Sequence, residues 1–162
     1  MKTLMIAASV AALSLAAPAL AQAQEVYGTI GYANVDIDPV NLGAIQGRLG
    51  VNFNSHFGIE GEASFGVADD EILGVSVELT NTYGAFVVAR MPVSENVDIF
   101  VRGGFASGEI DVGGTSASDD GGAYGAGLQA MFTPNDGVRF DYTRYSFGGD
   151  ADVWSVAYVR KF

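Results

Sequence analysis

Five stretches of this chain alternate apolar and polar residues over nine positions, with no charge on the apolar side. They are Ile45, Gly47, Leu49, Val51, Phe53; Phe57, Ile59, Gly61, Ala63, Phe65; Tyr83, Ala85, Val87, Ala89, Met91; Val97, Ile99, Val101, Gly103, Phe105; and Tyr124, Ala126, Leu128, Ala130, Phe132. An amphipathic helix would repeat its apolar face about every 3.6 residues, so a period of two specifies strands with one apolar face. Three further segments follow the pattern with exceptions: Val26 to Val35, Val138 to Arg144, and Trp154 to Phe162, where Arg144 and Arg160 fall on the apolar row. The expectation is eight strands.

The connections alternate in character. Asn54 to His56, Pro92 to Asn96 and Thr133 to Gly137 are short and polar. Asp36 to Asn41, Ala68 to Glu78, Glu109 to Gly122 and Gly148 to Asp152 form the other set, two of them long. An antiparallel meander sends alternate connections to opposite ends, and short turns at one end with longer loops at the other are the habit of transmembrane barrels. An even strand count places both termini on the short-turn side.

Which face meets solvent follows from the ends of the rows. Phe57 and Phe65, Tyr124 and Phe132, and Trp154 and Phe162 bracket rows of Val, Ile, Leu, Ala and Gly. Eight steps at about 3.3 Å, tilted about 45°, rise about 19 Å, approaching the apolar band of about 25 Å between two aromatic girdles. The intervening positions hold Arg48, Glu60, Glu62, Arg90, Asp98, Arg102, Arg139 and Asp141, together with many glycines. Four arginines and four acids sum to zero charge and can fill an eight-stranded interior as a lumen charge network. The reading is an all-β, eight-stranded antiparallel up-and-down transmembrane β-barrel with a polar, filled interior. A soluble lipocalin-like barrel is the alternative, and it would place those charges outside and Leu and Val within.

Composition supports export. Met1 and Lys2 precede an apolar, alanine-rich run from Leu4 to Leu20, then the small-x-small site Ala21, Gln22, Ala23. Residues 1–23 read as a secretory signal peptide, in preference to a membrane-anchoring helix, and 24–162 as the barrel domain. Cysteine is absent, so no disulfide braces the fold. A net charge of −11 argues against nucleic acid as a partner.

Several residues invite chemistry. Glu60 and Glu62 share a strand face about 6.6 Å apart, a separation that suits glycoside hydrolysis, but a filled lumen leaves no room for substrate and ion pairing to Arg48, Arg90, Arg102 or Arg139 is the simpler account. His56, the single histidine, sits in a short turn remote from the rim a hydrolase would use. The run "GAYGAG" precedes a strand, not a helix, so it is no dinucleotide loop. No residue is assigned as catalytic, cofactor-binding or metal-binding. The acids Asp36, Asp38, Asp69, Asp70, Glu71, Asp119, Asp120, Asp150 and Asp152, joined by Glu78, Glu109 and Asp111, are expected in extracellular loops without Lys or Arg. They suit either divalent cations bridging lipopolysaccharide phosphates or plain solvation, and no loop has a complete calcium-binding spacing.

The segments "FGIEGEASFGV", "ARMPVSENVDIFVRGGF", "GVRFDYTRYSF" and "SVAYVRKF", with the leader, carry a resemblance. The chain resembles the outer-membrane β-barrel domain proteins of the OmpA, OmpX and opacity-protein type along its whole mature length. The resemblance implies a Gram-negative cell envelope protein, a monomer in outer-membrane lipid and lipopolysaccharide, inserted by the outer-membrane assembly machinery. It also implies that Phe162 is the terminal aromatic of an insertion signal, with Trp154, Val156 and Tyr158 on the same row; Arg160 stands where many members carry Tyr. The family it resembles includes structural membrane anchors, adhesins and proteins of unknown role, so the fold does not fix the function. A non-enzymatic structural or surface-interaction role is the leading reading, a narrow porin-like channel the alternative, and a lipid-modifying enzyme a distant third.

Overall fold

The computed structural model describes residues 25–37, 40–68, 70–72, 75–112, 115–146 and 150–162. The leader, Asp38 and Asp69 lie outside them. Nine strands follow one another: β1 (Glu25–Ile37), β2 (Val40–Asn52), β3 (Phe57–Ala68), β4 (Asp70–Ile72), β5 (Val75–Pro92), β6 (Val97–Val112), β7 (Thr115–Met131), β8 (Asp136–Ser146) and β9 (Asp150–Lys161). The three-residue β4 continues the line of β3 against β5, so the wall has eight staves. Each stave pairs antiparallel with its sequence neighbours, and β1 pairs with β9 from Tyr27↔Lys161 to Asp36↔Asp152. The sheet is therefore a closed up-and-down barrel. Closure removes the open edge, which lipid could not hydrogen-bond.

Burial follows the period-two alternation. Leu49, Val87 and Val101 are exposed, whereas Arg48, Val88 and Arg102 beside them are buried. This is the reverse of a water-soluble barrel. Tyr32, Phe65, Tyr83, Phe105, Tyr124 and Trp154 form an outward ring toward one end, with Phe65 edge-on to Tyr83 at 6.3 Å. Phe57, Phe132 and Phe162 form a sparser ring at the other. Aromatic rings at two levels with aliphatic side chains between them match a bilayer's interfaces and hydrocarbon.

Connections at the second end are short, as expected. The turn after β2 closes with Phe53 N–H donating to Phe57 O at 3.0 Å, that after β5 with Val93 N–H to Val97 O at 2.9 Å, and that after β7 with Phe132 N–H to Asp136 O at 3.0 Å. At the opposite end the expected loops are largely strand. β5, β6 and β7 run 18, 16 and 17 residues, against 11 and 12 for β8 and β9. Asp36, Asp70, Glu71, Glu78, Glu109, Asp111, Asp119, Asp120, Asp150 and Asp152 all lie within strands. Their polar, small-residue surroundings read as loop, but pairing with a neighbouring stave past the aromatic ring holds the backbone extended.

Candidate functional site

The inward positions divide by height. Across the middle, three arginines and three acids meet, all with side chains at most 1% exposed. Arg48, from β2, grips Asp141 of β8 with two guanidinium nitrogens at 2.7 and 2.9 Å and donates through Nε to Glu62 at 2.8 Å. Arg139, from β8, donates to Glu60 at 2.6 Å and lies 3.3 Å from Asp141. Arg102, from β6, sits 2.7 Å from Glu62 and 3.4 Å from Glu60. Its nitrogens meet those oxygens off the N–H directions. Charge holds Arg102, helped by the Phe86 ring, whose centroid lies 3.5 Å from the guanidinium carbon. Tyr27 and Tyr145 donate hydroxyls to Glu60 and Glu62. Ion pairs thus cross the lumen from one wall to the other, and the six charges sum to zero.

Arg90 and Asp98, expected in this network, are not ion-paired with it. Arg90 lies nearer the short-turn end, 5.1 Å from the Tyr27 ring centroid. Asp98 stands beside it on β6, opposite Pro92.

Large rings on the inward face were not anticipated. Phe86, Phe100, Tyr27 and Tyr145 are all buried. The inward glycines explain how they fit. A Cβ at Gly50 would meet the Tyr27 ring at 2.1 Å, and one at Gly127 the Phe100 ring at 2.7 Å. Arg139 then covers Phe100 at 4.0 Å. Glycine, ring and guanidinium stack in that order, a pattern readable where a lone ring on the polar row faces a glycine-rich strand.

Above the belt, toward the long hairpins, the interior turns apolar: Ala33, Val35, Ala44, Phe86, Ala106, Ala123, Tyr145, Ala151 and Val153 form one buried cluster. Outside the barrel at this end, Arg144 makes a forked pair with Asp152 at 2.6 and 2.8 Å, and Tyr142 donates to the same carboxylate at 2.7 Å. Arg144 thus keeps its place on the apolar row because Asp152 neutralises it just beyond Trp154. The Arg144 and Tyr142 hydrogen bonds hold Asp152, which lies past the aromatic ring, at a pKa of about 2. At the short-turn end Arg160 reaches Asp136 at 3.0 Å, and the Tyr158 hydroxyl donates to that acid as well. The Tyr158 bond, then that from Thr133, lowers the pKa of Asp136. Phe162 donates its N–H to Val26 O at 2.9 Å, continuing the seam between β9 and β1. His56 is an exposed turn residue hydrogen-bonded to Ser55. Among the described residues no cluster of His, Cys, Asp or Glu has the form of a metal site.

A closed antiparallel barrel with an aliphatic, ring-girdled outside and a charged inside is an outer-membrane β-barrel. The sequence matches the outer membrane protein beta-barrel domain family over residues 5–162, and the chain belongs to that family. Three solved structures share the fold. Ail, the attachment invasion locus protein of Yersinia pestis, in complex with the heparin analogue sucrose octasulfate, is 21% identical with a TM-score of 0.66, over 85% of this chain and 98% of that one. The N-terminal β-barrel domain of Pseudomonas aeruginosa OprF gives 12%, 0.65, and 87% and 100%. OprG of Pseudomonas aeruginosa gives 11%, 0.66, and 87% and 97%. No curated protein matches the chain.

Proposed function

We propose that this is a non-enzymatic outer-membrane barrel whose lumen is shut and whose work is done by its outward surfaces, as a structural element of the envelope and a platform for surface contacts. The observation that carries this reading is the ion-pair belt: Arg48 alone joins β2 to β3 and β8. Ions or solutes would have to break several buried pairs at once to pass. The extended hairpins of β5, β6 and β7 supply the projecting surface. Ail is described with a sulfated polyanion; the acids at the strand ends here favour cationic or divalent-cation-bridged partners instead. Export by removal of residues 1–23 and recognition of the Phe162 row during insertion belong to the same proposal.

Planar-bilayer recording tests it. The purified barrel should add no steady conductance over protein-free membrane. A stable conductance in the unaltered protein would favour the narrow-channel reading.

A further inference from the structure

Below the belt, at the short-turn end, lies a vestibule of about 300 Å³ lined by Glu25, Asn52, Asn54, Ser55, Arg90, Pro92, Asp98 and Lys161. Most of its polar groups are already engaged. Glu25 accepts from Asn52 at 2.7 Å and pairs with Lys161 at 2.9 Å. Asn54 Oδ1 accepts from the His56 and Phe57 N–H groups, and Ser55 bonds His56. Behind its wall, Arg90 Nε and Asn52 Oδ1 are buried without a hydrogen-bond partner, the latter against Gly58. Both residues are at least nine-tenths buried.

Two charges are left over. Glu25 and Lys161 neutralise each other, while Arg90 and Asp98 form no ion pair within 4.0 Å among the described residues. Arg90 pairs with Phe100 and Pro92 with Asp98, so the two are diagonal neighbours on β5 and β6, about 7–8 Å apart at the backbone. A cation and an anion at that spacing, both unpaired and both lining the same chamber, describe the complement of one small molecule. Its carboxylate would meet the Arg90 fork, and its ammonium would lie against Asp98. Tyr27 backs Arg90 from the barrel interior: its ring faces the guanidinium, and its hydroxyl is fixed on Glu60 at 2.9 Å. Guanidinium forks bind carboxylates at two points, and such charge-assisted bonds strengthen in a partly desolvated chamber.

We propose that this vestibule is a binding site for a small zwitterion of α-amino-acid type, or for the like end group of a short peptide, entering from the side of the short turns. The site lies outside the ion-pair belt and does not require the lumen to open.

Equilibrium dialysis of the folded barrel in detergent micelles, with radiolabelled alanine, acetate and methylamine, tests this. Alanine should bind saturably and at least about tenfold more tightly than either single-charge analogue. Arg90→Gln should weaken alanine by about tenfold or more, and Asp98→Asn should erase the preference for alanine over acetate. Each variant must keep the gel mobility shift on boiling that marks a folded barrel; Arg90→Lys, which keeps the charge and loses the fork, serves if Arg90→Gln does not fold, and should weaken alanine and acetate alike. Absence of saturable alanine binding, equal binding of alanine and acetate to the unaltered protein, or unchanged alanine binding in Arg90→Gln would overturn the proposal.

Discussion

The belt and the layer above it fill the same lumen by opposite means. The belt uses full charges that tolerate burial only because each is matched: Arg48 touches Glu62 and Asp141, Arg139 touches Glu60 and Asp141, and Arg102 bridges both glutamates. The upper layer is mostly Ala, Val and Phe, which need no partner, with Tyr145 reaching from it to Glu62. An error in the belt strands a charge; an error in the upper layer leaves a gap. The first is the more severe and is shared among many residues, so the belt fixes the angular registry of distant staves where the apolar layer only fills space.

The largest expected effect breaks the belt. Arg48→Met leaves Asp141 without its forked partner and Glu62 without one of its two arginines, and should lower unfolding stability by about 3–5 kcal/mol in urea titrations of vesicle-embedded protein. Next, Gly127→Val drives a side chain into Phe100 and should lose about 1–3 kcal/mol. In the upper layer, Val153→Ala should lose about 2 kcal/mol, and its effect should add to that of Arg48→Met, whereas Glu62→Gln and Arg102→Met together should lose less than their separate effects summed. Additivity within the belt would remove the distinction between the two regions.

The smallest effect lies outside the lumen and depends on pH. The pKa of Asp152 is held near 2 by Arg144 and Tyr142, below its unfolded value, so the pair stabilises the fold above the unfolded pKa and loses that contribution as pH falls toward 2. The stability difference between the unaltered protein and Asp152→Asn should hold steady from neutral pH to about 5 and shrink below about 4. A difference independent of pH would remove the forked pair from the account.

The wall was legible in the sequence because one physical rule governs it: Leu49, Val87 and Val101 face lipid, and a strand shows its face in every second residue. The interior was half legible. Spacing along a strand assigns a residue to a face but not to a height across the barrel, which depends on register between staves. Arg90 and Asp98 therefore looked the same as Arg102 and Asp141, yet the pairing of Pro92 with Asp98 sets them near the rim. Phe86 and Phe100 were hidden because each lies between apolar outward neighbours. The strand-end acids looked like loop because Asp, Ser and Gly favour turns in isolation; pairing across β6 and β7 overrides that preference from Val112↔Thr115 onward.

The inside-out wall can be tested through Trp154, the only tryptophan. It lies outward and half exposed, 4.8 Å from the Tyr142 ring. In vesicles of brominated lipid its fluorescence should be quenched, most by bromines near the headgroup, and little affected by aqueous iodide. Quenching by iodide with no response to brominated lipid would place the apolar face in water and contradict the assignment.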